Sequence, residues 1–369
     1  MNITTRNFLR LLRAGVFNTS EQIEPMSAWK WRQLWQQSTF FGIDTLVFDG
    51  YSKCSQQFFM QLPDDLLSQW SASVAKTEQQ SRRQHACLTT LFAEMEQLSA
   101  RPIITNGMAM STLYDQPHHR ATDAIDIFFP FDTQGKRADQ WATRQGSSVT
   151  EPEKYLLRYI LDGVTIDHHH RLLRLTNKLS NRNLQGIVEQ ELRESSSVYI
   201  IINGKRVETI TPTLSLLVLL LQIAHAMLNE GLALKQLTDL GLLLRKKGDR
   251  VDFVKLESWI QKLHIQRMAQ LIGTLLTSFF AFTPDEVPFM TADSEQTFDR
   301  LQQDFIGHRR PATDQFYFSQ GDSIFVHAKG SSSMLWQARR SARFFKYYPT
   351  ESITNFFSSF AHSLTHIEE

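Results

Sequence analysis

Cysteine is nearly missing from this chain: Cys54 and Cys87 are the two among 369 residues. Two thiols build no disulfide framework, so the core must hold the fold, and such usage favours a reducing cytoplasm. An excess of one charge is missing too. Lys+Arg number 39 against 38 for Asp+Glu, so no overall field draws the chain to nucleic acid or to an anionic membrane. The opening residues, Met1 to Phe8, lack the apolar stretch of a signal peptide. Long hydrophobic runs are also scarce. The most apolar one, Leu214 to Leu228, is 15 residues long and is interrupted by Ser215, Gln222 and His225. That is short of the roughly 20 residues needed to cross a bilayer, so it reads as a buried core helix and no transmembrane segment is expected. No internal repeat or low-complexity tract is present.

What is there describes a globular protein: 42% apolar and 21% charged residues, with 26 Phe to fill a core rich in rings. The length suits two or three compact units. Residues 1–100 read as helical. An apolar stripe of Phe8, Leu9, Leu11, Leu12 and Val16 ends near Asn18, and Pro25 opens a segment with Trp29, Trp31, Leu34 and Trp35. Asp64-Asp65 starts a long helix, two acids in its first turn suiting the helix dipole. The polar middle of that helix, Lys76 to Gln84, reads as a solvated face.

Residues 101–210 mix strands and helices. Lys136 to Gln145 reads as a helix with Trp141 on its apolar side. Two hairpins are signalled by Asp162-Gly163 between Tyr155–Ile160 and Val164–His169, and by Asn203-Gly204 within Val198–Ile210, both type I′ turn pairs. Residues 211–369 are read as a second helical region. Thr211-Pro212 marks a helix start. Leu237, Leu240, Leu243 and Leu244 give an apolar side with Asp239 on the polar side, and further helices fall around Val254–Leu263 and Met268–Phe280. Met334 to Tyr348 interleaves Arg339, Arg340, Arg343 and Lys346 with aromatic rings and reads as an amphipathic helix packed on the domain.

One stretch concentrates the chemistry. Ile103-Ile104 ends in Thr105-Asn106-Gly107, a turn signal. A short helix from Met108 to Tyr114 follows, then a loop, then Ile125, Ile127, Phe128 and Phe129 around a single acid, Asp126, closed by Pro130. An acid within an apolar strand is costly unless a cation or metal partners it. Asp123, three residues earlier, falls on the opposite face of a regular strand unless a bulge re-aims it. Asp167 and His169 share a strand face, while His168 and His170 point the other way. The pairs and triplets of adjacent His, His118-His119 and His168-His169-His170, lack the spacing of zinc ligands and read as exposed or hydrogen-bonded imidazoles.

This stretch resembles the signature of the uncharacterised nucleotidyltransferases, which share the DNA polymerase beta-like nucleotidyltransferase fold. Gly107, Tyr114, Pro117, Arg120, Asp126 and Pro130 stand at the matching spacings, and Asp167 with His169 matches a third acid followed by His. His225, Asp239 and the Tyr348-Pro349-Thr350-Glu351 ending fit more loosely, so the likeness spans about residues 85–350. Two positions depart from the pattern: Asn106 stands where the family has Lys, and Ala124 where it has the first Asp of an Asp-x-Asp pair. Two carboxylates at i and i+2 would share a face and grip Mg²⁺ bridging nucleotide phosphates, and Ala124 leaves one of them.

The resemblance implies an α+β protein, a small mixed sheet of nucleotidyltransferase type between N-terminal and C-terminal helical units. It implies transfer of a nucleoside monophosphate from an NTP to a hydroxyl acceptor. Asp126 and Asp167 are the implied catalytic and Mg²⁺-binding residues, with Asn106, Gly107 and Arg120 binding the nucleotide. From the residues alone, Arg120 either holds phosphate or staples its loop to Asp123 or Asp126. His225 and Asp239 read as core or helix-packing residues. The alternative is a pseudoenzyme that keeps the fold and binds a nucleotide, a sugar or a protein partner.

Overall fold

In a computed structural model the protein is described over residues 1–58, 60–229, 231–289, 344–352 and 354. Most of the basic aromatic segment expected at 334–348 lies outside the described residues. The chain folds as an α+β protein around a mixed seven-stranded sheet.

Four helices precede the sheet: α1 (Ile3–Phe17), α2 (Ala28–Phe40), α3 (Asp44–Cys54) and α4 (Asp64–Gln97). Asn2 caps α1 by accepting from the Thr5 amide, and Asn18 ends it in the left-handed region. α1 and α3 cross at Gly15 and Gly50. A Cβ on Gly15 would run into the Leu46 carbonyl, and one on Gly50 into the Leu11 carbonyl, so only glycine lets these backbones touch. The polar middle of α4 is solvated on one side only, because Ser81 and Gln84 are buried. Gln84 earns that position with two bonds to Thr122, donating from Nε2 to its carbonyl at 2.9 Å and accepting from its hydroxyl at 2.8 Å.

The sheet order is β3 (Ser147–Glu153), β4 (Leu156–Leu161), β5 (Val164–His169), β2 (Ile125–Phe128), β1 (Ile103–Ile104), β7 (Lys205–Thr209), β6 (Val198–Ile202). β2 runs parallel to β5 and β1 parallel to β7; the other neighbours are antiparallel. Both expected hairpins form, with φ of 52° and 74° at Asp162-Gly163 and 49° and 75° at Asn203-Gly204, as a type I′ turn requires. β3 has no apolar face and carries Pro152, which an edge strand tolerates.

α5 (Asn106–Ser111) follows β1, and α6 (Asp132–Gln145) covers one face of the sheet through Ala138, Trp141 and Ala142. After α7 (Lys178–Glu194), α8 (Pro212–Asn229) runs through the centre of the helical layer beside α9 (Leu234–Lys247), α10 (Phe253–Lys262) and α11 (Gln266–Phe280). α8 is long and apolar enough to cross a membrane by length and composition, yet 78% of it is buried within the protein, as a core helix would be. Residues near the far end dock back on the centre: Glu351 accepts from the amides of Thr176 and Asn177, at 3.1 and 2.8 Å, where α7 begins.

Candidate functional site

Strand alternation sorts the run Asp167-His168-His169-His170 between two faces. On the covered face, His168 is fully buried. Burial holds its pKa below the ordinary histidine range against the pull of Asp139, so it is neutral: Nδ1–H donates to Asp139 at 3.1 Å, and Nε2 accepts from Tyr159 at 3.0 Å. His170 donates to the other Asp139 oxygen at 2.6 Å. These imidazoles are satisfied by α6 and β4.

The other face carries the acids. In the parallel register Asp126 stands directly beside Asp167. Donor atoms of Asp126, Asp167 and His169 lie within 4.8 Å of one another. His169 Nε2 donates to Asp126 Oδ1 at 2.8 Å. Burial depresses the His169 pKa, but the hydrogen bond to Asp126 and the charges of Asp126 and Asp167 outweigh it and leave the pKa raised. Asp167 accepts a bidentate pair from Arg158 on β4, both bonds 2.8 Å, and this pairing raises the arginine pKa further.

Over these acids lies a cavity of about 250 Å³, lined among others by Asn106, Gly107, Arg120, Ala124, Arg158 and Lys235. Every residue expected at the site is on its wall or floor. Asp123 is there as well, contrary to the alternating-strand expectation. β2 begins only at Ile125, so Asp123 belongs to the preceding loop and pleating does not constrain it. Ala124, which is buried, lines the cavity beside Asp126 where a second carboxylate of an i, i+2 pair would project.

The turn after β1 takes a form the sequence left open. The positive φ, 52°, falls on Asn106, and Gly107 is needed for space instead. A Cβ on Gly107 would collide with the Thr122 methyl and come within 2.7 Å of Arg120 Nη1. Gln222 on α8 donates to Asn106 Oδ1 at 2.8 Å. That leaves the Asn106 amide N–H groups without an acceptor among the described residues.

Arg120 is stapled neither to Asp123 nor to Asp126. It reaches α9, where Nε donates to Asp239 Oδ1 at 3.1 Å and Nη2 to Oδ2, and the pair is almost wholly enclosed, with side chains 6% and 1% exposed. Tyr114 adds its hydroxyl to Asp239 Oδ1 at 2.7 Å. Burial opposes the charge on Arg120, but Asp239 outweighs it and leaves the arginine pKa raised. Asp239 is therefore buried, not on a polar helix side, because its partner arrives from 119 residues away. His225 differs as well: it is exposed on α8 and contacts Asn229, one turn on.

The turn that delivers Arg120, a 3₁₀ turn at Pro117–His119, is clamped from behind. His119 donates from Nδ1 to Asp49 of α3 at 2.7 Å and from Nε2 to Glu78 of α4 at 2.8 Å. Burial would lower its pKa, yet the two carboxylates raise it, so the ring is an imidazolium between two acids. Thr45 of α3 donates its hydroxyl to the His119 carbonyl.

Arg158 and Lys235 are the charged cleft residues that sequence reading does not anticipate, and Gln222 is a further, uncharged one. Arg158 was within reach of turn arithmetic. A two-residue loop at Asp162-Gly163 pairs 161 with 164, and counting back sets 158 opposite 167, as observed. Lys235 carried no such signal, since it joins the cleft from α9 only when α9 packs beside α8.

Residues 27–281 match the sequence profile of the family described as uncharacterised nucleotidyltransferase. No curated protein matches the chain. Among solved structures, it is similar to an antigenic nucleotidyltransferase-like protein from Paracoccidioides brasiliensis, at 13% identity and a TM-score of 0.35, over 54% of this chain and 92% of that one. The chain belongs to the uncharacterised nucleotidyltransferase family.

Proposed function

We propose, with that membership as premise, that the cleft binds a nucleoside triphosphate and transfers its nucleoside monophosphate to a hydroxyl acceptor. The observation that carries this reading is the side-by-side placement of Asp126 and Asp167 on parallel strands beneath the cavity. The acceptor oxygen would bond to the α-phosphorus as the bond to the bridging oxygen breaks. Pyrophosphate would leave with that electron pair, and the hydroxyl proton would pass to solvent. The Asn106 amide, its oxygen held by Gln222, presents its N–H groups to a phosphate oxygen. Gly107 lets backbone and Arg120 pack closely beside it.

The donor set fits Mg²⁺, which takes one or two carboxylates and completes its shell with water and phosphate oxygens. Asp126 and Asp167 would hold it. His169 occupies one oxygen of Asp126 and Arg158 both oxygens of Asp167, and each carboxylate keeps lone pairs to spare. His169 orients Asp126 and is not itself a ligand of the kind this ion prefers. When bound, the ion neutralises charge on the phosphates.

Calorimetry of the whole protein with ATP, CTP, GTP and UTP in Mg²⁺ tests the reading. Binding of at least one nucleotide that weakens by about tenfold or more in Asp126→Ala supports it, since a metal-bridging carboxylate is removed. No binding of any of the four would end it.

A second reading has its own support in Ala124 and in the bidentate hold of Arg158 on Asp167: the cleft binds its nucleotide without transferring it. Release of pyrophosphate that arises only in Ala124→Asp, or in Ala124→Asp with Asn106→Lys, favours this second reading. Turnover by the natural chain excludes it.

A further inference from the structure

The charges around the cavity do not cancel pair by pair. Arg120 is matched by Asp239, Arg158 by Asp167 and His169 by Asp126. Lys235, in the first turn of α9, lines the same cavity, and its ammonium makes no hydrogen bond or ion pair with any described residue. It is also crowded by a like charge. Burial, and then the neighbouring Arg120 guanidinium, pull its pKa below the ordinary lysine range, while Asp123, Asp239 and Asp44 pull the other way from beyond ion-pair distance.

Two cations side by side in a partly enclosed space repel unless an anion lies between them. The turn between α2 and α3 approaches the ammonium with Gly42, at φ 62°, where a Cβ would come within 3.3 Å of Lys235 Cε and Nζ. The turn after β1, by contrast, puts a neutral amide, Asn106, on the cavity wall. Lys235 on α9 is thus the cleft cation without an ion-pair partner among the described residues, and Asp123 the lining acid without one.

We propose that Lys235 is a phosphate-binding residue: its ammonium holds the diphosphate end of the nucleoside triphosphate, the part that departs as pyrophosphate. The inference rests on the cleft being a nucleotide site and assigns which helix supplies its unpaired cation. An ammonium is suited to this task, since its donors rotate and follow a leaving group as a point charge.

The test compares the full-length protein with Lys235→Met and Lys235→Arg, each checked for an unchanged melting profile, using Mg²⁺ with ATP, AMP and pyrophosphate as separate calorimetric probes. If ATP binds, Lys235→Met should weaken ATP and pyrophosphate by about 10- to 100-fold, the worth of one charge-assisted hydrogen bond. AMP should change less than about threefold, and Lys235→Arg should recover most of the ATP affinity. Natural protein that binds ATP, with Lys235→Met binding it equally well, overturns the assignment and leaves the nucleotide site standing. Equal weakening of AMP and ATP also overturns it, because the lysine would then act on a part common to both. Pyrophosphate binding that depends on Lys235 without any nucleotide binding would keep the lysine as an anion site and refute the nucleotide reading. No binding of pyrophosphate or of any of the four nucleoside triphosphates refutes both.

Discussion

The wall of the cleft and its floor are both made of ion pairs, and water reaches them very differently. In the wall, Arg120 and Asp239 are 6% and 1% exposed and Tyr114 seals them. On the floor, Asp126 and His169 are 20% and 21% exposed, and Arg158 stands 45% open beside a buried Asp167. A buried pair left with one partner carries the full cost of an unmatched charge, whereas a half-open pair can exchange its partner for water, a metal or a phosphate. The wall is built to stay, and the floor to exchange.

The sharpest way to break that comparison is to neutralise one acid from each. Asp239→Asn should lower stability by about 3–5 kcal/mol, since Arg120 is then buried without a counter-charge. Asp126→Asn should lower it by about 1 kcal/mol or less, because the amide oxygen still accepts from His169. Urea unfolding midpoints read both. Equal losses would erase the distinction between wall and floor. In metal-dependent nucleotide binding the order should reverse, with Asp126→Asn losing affinity at unchanged fold.

The clamp behind the wall adds a pH signature. The His119 pKa is raised in the folded state, so its contribution is complete below the ordinary value of 6.5 and is lost as the pH climbs through the raised value. Thermal unfolding should show the protein losing about 1 kcal/mol on that upward passage, a modest figure because burial of the charged ring offsets much of what the two carboxylates contribute. His119→Gln should flatten this slope. A slope unchanged in that variant would remove His119 as its source. A similarly small effect is expected from Tyr114→Phe, about 1 kcal/mol, because Arg120 still satisfies Asp239 once the hydroxyl is gone. Its unfolding midpoint should fall between those of the natural protein and Asp239→Asn.

Local chemistry made part of this architecture legible. Asp-Gly and Asn-Gly pairs fix their hairpins because few residues accept positive φ twice in a row, and an acid in a greasy strand marked Asp126. What escaped was set at a distance. α3 is a short helix of weak periodicity, β3 an edge strand without an apolar face, and α7 buries only Leu184, Ile187 and Val188 as apolar residues in an otherwise polar stretch. The Arg120–Asp239 pair joins residues whose spacing carries no periodic signal, so Asp239 could be placed on a polar side by counting along its own helix alone. Asp123 escapes strand alternation because β2 begins only at Ile125, a boundary that the apolar run does not mark.

The crossing of α1 and α3 gains meaning from what α3 carries. Asp49 and Thr45 of that helix grip the turn just before Arg120, while Gly50, next along, meets the α1 backbone without a side chain between. The depth to which α3 settles on α1 is thus relayed, through one histidine, to the guanidinium at the edge of the cleft. A single methyl group added at residue 50, far along the chain from Arg120, would pry that helix outward and unsettle the turn that seats the guanidinium.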